Sequence, residues 1–422
     1  MWEGFSTDEV TIPQWGRREF LKMSALLGAG GFLAGHSLSA RAAAMIDLPF
    51  VNGERRLIPA GTFPQKGEMI LQRVRPPLLE TPWSVFDRHI FTPNDQFYVR
   101  WHMPDFPDHV DVKSYRIRVT GLVKNPLEIS LEELLHDFPL REMAAVNQCS
   151  GNSRGFVNPR VNGAQWANGA MGNAVWAGVA LRELLQRAGV KKGATHLAFR
   201  SLEKGMAPFP ADTRFEKVLD LEHGNDGEVM LAYAMNGATM PLLNGFPVRL
   251  VVPGWYSTYW VKMLTEIEVM DHPGTGFWMT KAYLIPDTPT GYMTPGEKGV
   301  KMVPINRMKP RNFFTEPGSG ARVAKGRPVR VGGIAMGGSA ALERVLFSAD
   351  GGAHWQKASL GHDYGPYSFR AWQAAFTPEK EGTHTLMVKA VNHQGEEQPL
   401  QGGWNPGGFM YNAIEHLPLH TV

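Results

Sequence analysis

Gln148-Cys149-Ser150-Gly151-Asn152-Ser153-Arg154 surrounds the only cysteine in the 422-residue chain. A single cysteine cannot form an internal disulfide, so its thiol serves packing, nucleophilic chemistry or metal ligation. The small polar neighbours predict a tight loop, and the positive charge of Arg154 favours the thiolate, a strong ligand for a soft or high-valent metal. The loop therefore allows a metal ligand at Cys149, and the rest of the chain must decide. An inert buried thiol and a nucleophile activated by a histidine are the alternatives.

The N-terminus carries a twin-arginine export motif, Gly16-Arg17-Arg18-Glu19-Phe20-Leu21-Lys22. The mildly apolar stretch that follows, Met23 to Ala34, is far shorter than the ~20 apolar residues that span a bilayer. We therefore interpret residues 1–44 as a signal peptide that ends in small residues suited to cleavage. Twin-arginine signals direct the export of folded proteins, which suits a cofactor inserted in the cytoplasm. The motif predicts a periplasmic protein.

The composition is that of a globular enzyme with nearly balanced charge. The chain has 43 Lys and Arg against 40 Asp and Glu, which does not favour a nucleic-acid partner. Its length favours two or three domains, and no stretch after the signal is long and apolar enough for a membrane helix. No Cys-x-x-Cys-His motif occurs, so we expect no covalently attached c-type haem in this chain. Any electrons removed from a substrate must then pass to another protein.

The first part of the chain, from about residue 46 to residue 295, mixes helix and strand patterns. Alternating apolar residues predict a strand from Tyr115 to Gly121. A capping box at Ser130 predicts a short helix, and a second helix is expected from Leu181 to Ala188. An apolar strand is predicted from Pro247 to Gly254, and Arg249 interrupts it. A charge in such a strand indicates either an edge position or a buried ligand-binding group.

The last part of the chain has the pattern of an all-β domain. Pro295 to Pro328 is rich in Gly, Pro and basic residues and is predicted to be a linker or a long loop. Short strands at regular spacing follow it, and about 95 residues of this pattern predict an immunoglobulin-like β-sandwich. The clearest predicted strands are Val329 to Ala335, Ala341 to Ser348, Ser368 to Phe376 and His384 to Val391.

Together these residues resemble the sulfite oxidase family of molybdenum-cofactor enzymes, and the twin-arginine signal suggests its bacterial periplasmic sulfite dehydrogenase branch. The motifs that carry the resemblance are Phe97 to His102, Cys149 to Arg154, Trp166, Trp176 to Gly178, Ala232 to Gly237, Val248 to Gly254, Gly332 to Ala335, Ser348 to Gly352 and Phe369 to Trp372. The resemblance implies an α+β fold: a molybdenum-cofactor-binding catalytic domain over residues 45–298 and an immunoglobulin-like dimerisation domain over residues 299–422.

The resemblance also implies roles for individual residues. Cys149 is expected to bind molybdenum. The expected anion pocket consists of Arg100, Arg154 and Arg370, with Tyr283 as a hydrogen-bond donor. The expected cofactor contacts are Tyr98, His102, Glu203, Asn244, Arg249 and Lys262. Trp101, Ser153 and Asn244 depart from the animal enzymes, which have asparagine, arginine and histidine there, and the last change puts the pterin phosphate contacts in question.

The implied reaction is the oxidation of sulfite to sulfate by oxygen-atom transfer, with one molybdenum cofactor per chain. A c-type cytochrome is the expected electron acceptor, and the protein is expected to form a homodimer or a heterodimer with a cytochrome subunit. If Arg370 lies in the anion pocket, the second domain closes the site. A sulfane dehydrogenase or a sulfoxide reductase of the same family, and a non-catalytic binding protein, are the alternative functions.

Overall fold

The computed structural model describes residues 44–205, 209–210 and 212–422, and the predicted signal peptide lies almost entirely outside this part. In chain order the strands up to residue 270 are β1 (Ala44–Asp47), β2 (Glu54–Ile58), β3 (Met69–Arg73), β4 (Leu78–Glu80), β5 (Val99–Arg100), β6 (Arg116–Gly121), β7 (Leu127–Ser130), β8 (Arg141–Gln148), β9 (Met171–Ala180), β10 (His196–Lys204), β11 (Arg214–Asp220), β12 (Met230–Met235), β13 (Ala238–Thr239), β14 (Arg249–Val251) and β15 (Leu264–Met270).

These strands form three sheets around one large hydrophobic core. Strands β1 to β5 make an antiparallel meander, the second sheet has the order β11-β10-β15-β6-β7, and the third has the order β13-β12-β9-β8 with β14 paired to β12. In β6 the side chains of Ile117 and Val119 are buried, whereas Arg116 and Arg118 face outward. The period of two thus confirms the strand predicted from Tyr115 to Gly121 to within one residue.

Helices are short in the described part of the chain. They are α1 (Leu131–His136), α2 (Leu181–Ala188), α3 (Leu221–Gly224) and α4 (Phe277–Thr280), with 3-10 turns at Trp83–Val85, Arg154–Phe156, Leu242–Asn244 and Ser257–Tyr259. The Ser130 hydroxyl accepts the backbone N–H of Glu133, and the Glu133 carboxylate accepts the backbone N–H of Ser130, which confirms the capping box. Gly189 ends α2 with φ = 66°. None of these helices is long and apolar enough to cross a membrane.

The second domain is an immunoglobulin-like sandwich of two sheets. Its strands, with the hairpin that precedes them, are β16 (Leu284–Pro286), β17 (Met302–Pro304), β18 (Arg311–Glu316), β19 (Arg322–Val323), β20 (Val329–Met336), β21 (Leu342–Ser348), β22 (Gln356–Lys357), β23 (Ser359–Leu360), β24 (Arg370–Phe376), β25 (Gly382–Asn392) and β26 (Glu415–Thr421). The sheet orders are β18-β20-β24-β23 and β19-β26-β25-β21-β22. The four predicted strands are confirmed.

The predicted loop from Pro295 to Pro328 is wrong, because this segment contains β17, β18 and β19. The β18 sequence lacks an alternating pattern because most of the strand is enclosed on both sides. Phe314 packs into the sandwich core, whereas Phe313 belongs to a cluster that includes Val146 and Met171 of the first domain. Its first residue, Arg311, is also buried and so breaks the apolar pattern.

The two domains meet at the segment that carries the cysteine. Arg311 of β18 donates from both terminal nitrogens to the Ser153 hydroxyl, at 3.2 Å each, and also to the carbonyl of Tyr411. The backbone N–H of Met410, just before β26, donates to the Ser150 carbonyl at 3.0 Å. The second domain therefore supports the cysteine loop directly.

Candidate active site

Cys149 lies at the end of β8 in a loop held by backbone hydrogen bonds. Its N–H donates to the Ala170 carbonyl at 2.9 Å, and its carbonyl accepts the N–H of Asn152 at 3.0 Å. Ser153 adopts the left-handed conformation, with φ = 68°. The thiol is free, and the residue is only 5% exposed. The loop thus presents one sulfur atom in a fixed position, as a metal ligand requires.

Arg154 crosses this loop and joins it to the second domain. Its Nε donates to the Gly407 carbonyl and its Nη1 to the Ala164 carbonyl, both at 2.9 Å. A Cβ atom at Gly151 would lie 2.2 Å from Arg154 Nη2, so this position needs glycine. The guanidinium carbon also lies 5.3 Å from the ring centroid of Phe409. The glycine in the motif therefore makes room for the arginine.

Tyr283 is the centre of the candidate pocket. Its backbone has φ = 57°, and its ring lies 5.6 Å from the Arg100 guanidinium carbon and stacks on Phe409 at 5.4 Å. Burial raises the pKa of Tyr283 to about 12, and the charges of Arg100, Cys149 and Arg154 also act on it. The four predicted residues Arg100, Cys149, Arg154 and Tyr283 are thus brought together. At neutral pH the phenol keeps its proton and can donate a hydrogen bond.

Glu203 anchors a second, more deeply buried part of the site. Its carboxylate accepts the backbone N–H groups of His102 and Met103 at 2.9 and 3.0 Å and lies 3.4 Å from Lys262 Nζ. Burial alone would raise the pKa of Glu203, but the charge of Lys262 and the hydrogen bond from the backbone N–H of Met103 help to hold the pKa below its usual value. Burial and the charge of Arg100 keep the pKa of His102 well below its usual range, so its ring is neutral at pH 7.

Arg249 and Tyr98 complete this deeper part. Arg249 Nη1 donates to the Asn244 carbonyl at 2.8 Å, and Nη2 donates to the Trp260 carbonyl at 3.2 Å. Burial lowers the pKa of Arg249 to about 10, so it stays charged at neutral pH. The Tyr98 hydroxyl donates to the Asn147 side chain, which fixes the strand end beside Arg100. The arginine in the predicted strand is therefore a buried group rather than an edge residue.

Several buried polar atoms of this region lack a hydrogen-bond partner. They are Arg100 Nη1, both ring nitrogens of His102, Arg249 Nε, Asn147 Nδ2 and Ser150 Oγ. Buried polar groups are normally satisfied, so a concentration of unpaired ones indicates a polar ligand. Most of these atoms are donors, and Lys262 adds a cationic group. The arrangement is suited to a ligand with several oxygen or nitrogen acceptors and negative charge.

Arg370 is not in this pocket, and the prediction that placed it there is wrong. Its Nε donates to the Gly361 carbonyl at 2.9 Å, and its Nη1 lies 3.4 Å from the Asp363 carboxylate. The loop before β24 therefore satisfies the guanidinium locally. The second domain instead reaches the pocket through the Gly407–Met410 loop, and Phe409 lies against Tyr283.

Asn244 has a different role from the predicted cofactor contact. Its side-chain oxygen accepts a hydrogen bond from Lys66 Nζ, and its side-chain nitrogen donates to the Tyr98 carbonyl at 3.1 Å. Both ends of the amide are therefore engaged by the protein. Asn244 therefore links Lys66 to the backbone of Tyr98 through its side-chain amide.

The sequence did not single out Phe409, Arg73 or Lys217. Arg73, at the end of β3, is exposed, but burial of part of its side chain and the charge of Arg100 lower its pKa, which puts it at the rim of the pocket. Lys217 Nζ lies 5.4 Å from the Tyr283 ring centroid. None of the three belongs to a recognisable motif. Only Lys217 could have been noticed from the sequence, because it is a charged residue next to the apolar residues Val218 and Leu219 of β11.

Two family models match the chain. Residues 102–278 match the oxidoreductase molybdopterin binding domain, and residues 303–421 match the Mo-co oxidoreductase dimerisation domain. The first range contains most of the pocket, and the second contains the loop with Phe409. The division agrees with the two groups of sheets described above.

Curated relatives match over most of the chain. Mitochondrial sulfite oxidase of Rattus norvegicus is 32% identical over 368 residues, which cover 82% of this chain and 65% of that protein. Sulfite oxidase of Gallus gallus is 32% identical over 374 residues, with 84% and 78% covered. The chain therefore spans about two thirds of the length of the mammalian relatives. Among solved structures, the sulfane dehydrogenase SoxCD from Paracoccus pantotrophus has the same fold, with a TM-score of 0.67, 23% identity and 92% and 93% of the two chains covered.

Proposed function

Because this chain belongs to the sulfite oxidase family of molybdenum-cofactor oxidoreductases, we propose that it oxidises sulfite to sulfate. One observation carries the choice of substrate: Arg100 and Arg154 converge with Tyr283 on the Cys149 loop, and Arg100 Nη1 has no hydrogen-bond partner. Two guanidinium groups and a protonated phenol are suited to a small oxyanion.

The residues of the deeper part fit the family's cofactor. Cys149 would supply the thiolate to molybdenum, and His102, Arg249 and Lys262 would hold the pterin and its phosphate. Their unpaired and cationic groups have the polarity that this anionic, acceptor-rich group needs. When bound, the cofactor supplies oxygen-atom transfer and accepts two electrons from the substrate.

The protein's own side chains would bind and orient the substrate. Arg100 and Arg154 offset its negative charge, and Tyr283 offers one hydrogen-bond donor that stays protonated because its pKa is about 12. Phe409 covers the pocket from the second domain, excludes water beside Tyr283 and so strengthens these interactions.

The direct test is turnover by protein purified with its cofactor. We expect about one molybdenum per chain and rapid reduction of ferricyanide when sulfite is added. Metal content, measured by mass spectrometry, identifies the loaded fraction, and protein lacking molybdenum serves as the control. Molybdenum-loaded protein that leaves sulfite untouched would overturn the choice of substrate while leaving the family assignment in place.

Arg100→Gln is expected to lower kcat/KM for sulfite by roughly ten- to a hundred-fold, because one charge-assisted hydrogen bond contributes on the order of 1.5–3 kcal/mol. Most of the change should be in KM. Arg370→Gln is the matched control, since its guanidinium pairs with Gly361 and Asp363 outside the pocket. Equal losses in both variants would contradict the assignment of the pocket.

The composition of the loop over the pocket supports a second candidate. The second domain contributes Gly407, Gly408 and Phe409 there rather than the expected arginine, so the pocket is less cationic and partly apolar. A sulfane sulfur carried on a thiol has less charge than sulfite and brings an apolar arm, and the sulfane dehydrogenase SoxCD shares this fold. Assays of thiosulfate and of a cysteine-bound sulfane alongside sulfite, with the same acceptor, would rank the substrates by kcat/KM.

We also propose that the protein works in the periplasm, passes its electrons to a c-type cytochrome and forms a dimer. The twin-arginine motif at Arg17 and Arg18 supports the location, and the match to the dimerisation domain supports the assembly. Fractionation of cells that express Arg17→Lys/Arg18→Lys protein tests export, because loss of the arginine pair should keep it in the cytoplasm. Reduction of mitochondrial cytochrome c by sulfite and enzyme tests the acceptor class, and sedimentation of the purified protein tests the dimer.

A further inference from the structure

Lys217 is a buried cation beside the pocket. It lies on β11 with its side chain fully enclosed, and its Nζ donates to the Trp278 carbonyl at 2.6 Å. The same nitrogen lies 4.7 Å from the ring centroid of Tyr259 and 5.4 Å from that of Tyr283. No carboxylate of the described residues lies within ion-pairing distance of 4.0 Å of it. The ammonium group is therefore held by a carbonyl, by the Met279 sulfur at 3.4 Å and by two aromatic rings.

Such a group is costly for the fold. A buried ammonium without a counter-ion loses its hydration and is not repaid by an ion pair, so an apolar residue of similar volume usually gives a more stable protein. Burial lowers the pKa of Lys217 to about 7. A residue that weakens the fold and lies at a functional site is a candidate for a functional role.

Its contacts lead to the tyrosine at the centre of the pocket. Trp278 belongs to α4. Its carbonyl lies near the end of this short helix, where carbonyl groups have no partner within the helix, and Lys217 supplies the donor. The chain runs from this helix into Tyr283, whose φ of 57° is unusual for a bulky residue. A hydrogen bond from Lys217 to Trp278 therefore fixes the segment that presents the phenol.

We propose that Lys217 is a positioning residue for Tyr283 and that its charge strengthens the binding of the anionic substrate. The second part rests on the proposed function. Arg100 lies 5.6 Å from the same tyrosine ring, so two cations adjoin the group that would contact the anion. Lys217 is thus a further basic residue around the pocket, which lacks the arginine expected from the second domain.

Other titratable groups surround this cation. On the Tyr283 side, Arg100, Arg154 and Glu203 act on the phenol. On the other side, Asp220 acts on Tyr259, whose pKa burial raises. Both phenols stay protonated at neutral pH, because burial raises their pKa values. Lys217 itself changes charge in this range, because its pKa is about 7.

The test compares Lys217→Met with the parent protein, both loaded with molybdenum. At pH 6 the parent carries the charge, and we expect the variant to raise KM for sulfite about tenfold while kcat changes little. At pH 9 the parent lysine is neutral, so only the lost hydrogen bond to Trp278 separates the two proteins, and the ratio of their KM values should be clearly smaller than at pH 6. The ratio of KM values is used because the ionisation of sulfite itself then cancels. Lys281→Met, an exposed site in the same segment, is the charge-matched control.

Stability provides an independent readout. The lowered pKa means that the folded state is penalised fully below about pH 7 and not at all above the pKa of the unfolded chain, near 10.5. Lys217→Met should therefore keep or raise Tm, with the larger gain at pH 6 than at pH 9. A fall in Tm with the same KM ratio at both pH values would show a purely structural lysine and overturn the proposal.

Two further measurements keep the test decisive. If Lys217→Met does not accumulate, Lys217→Gln removes the charge but keeps a hydrogen-bond donor, and we again expect a larger rise in KM at pH 6 than at pH 9. If the parent protein does not oxidise sulfite, calorimetric titration with sulfate still measures anion binding at the site. Weaker sulfate binding by the variant at pH 6 alone would support the role of Lys217, and equal binding would overturn it, whatever the true substrate.

Discussion

Replacing Cys149 with serine is expected to abolish sulfite oxidation in a protein that still folds. Serine is nearly isosteric, and the loop is held by backbone hydrogen bonds that the change does not touch. Its hydroxyl has a much higher pKa than a thiol and is a harder ligand, so it replaces the thiolate poorly on molybdenum. Turnover with ferricyanide, molybdenum content and Tm of the purified variant are the three measurements.

A control separates loss of the ligand from loss of the fold. Ser130→Ala removes the helix cap of α1 and should cost about 1 kcal/mol of stability without changing turnover. Full activity of a folded, molybdenum-loaded Cys149→Ser protein would remove Cys149 from the role of metal ligand. The alternative that Cys149 is an inert buried thiol would then be correct.

Glu203→Gln is expected to lower the free energy of unfolding by about 3–5 kcal/mol, because it leaves a buried cation without its partner. The carboxylate accepts two backbone N–H groups and faces Lys262, and a neutral amide cannot replace that charge. Urea unfolding of the protein at pH 7 gives the difference, and the cofactor content should fall with it because the same residues line the deeper site.

The contribution of Glu203 to the free energy of unfolding depends on pH. The pKa of Glu203 is lower in the folded protein than its ordinary value of 4.5, so the carboxylate contributes stability above pH 4.5 and loses it as the pH falls toward the folded pKa. The gap between parent and variant should therefore be largest near neutral pH and should shrink below pH 4.5. Glu132→Gln, at an exposed site on α1, should show no such gap. A gap of the same size at pH 3 and pH 7 would contradict the ion pair.

Local signals in the sequence predicted local structure well. Leu181 to Ala188 and its closing Gly189 form the expected helix, because the cap and the apolar face are encoded within a few residues. The cysteine loop was likewise recognisable from adjacent residues. Arg249 was predicted as a buried or an edge group, and only its burial between two flanking tryptophans decides between these alternatives.

Contacts between distant parts of the chain were not predictable in this way. Arg370 was assigned to the pocket by resemblance, but its orientation depends on the Gly361–Asp363 loop, which captures the guanidinium. Phe409 reaches Tyr283 only because the Gly407–Met410 loop folds back across the domain boundary. No periodicity or spacing in either segment records such a contact. The centre of the site was therefore visible in the sequence, and its cover was not.

The bond between Arg311 and Ser153 has a consequence for how this protein can change over generations. Ser153 lies four residues after Cys149, and Arg311 belongs to the other domain, yet the two side chains form hydrogen bonds in a buried place. A bulky replacement of Ser153 would clash with Arg311, and loss of Arg311 would remove its hydrogen bonds from the second domain to Ser153. We therefore expect substitutions at the two positions to occur together, and exchange of one domain alone should break this contact. The two domains have separate folds, but this buried contact makes us expect them to evolve together.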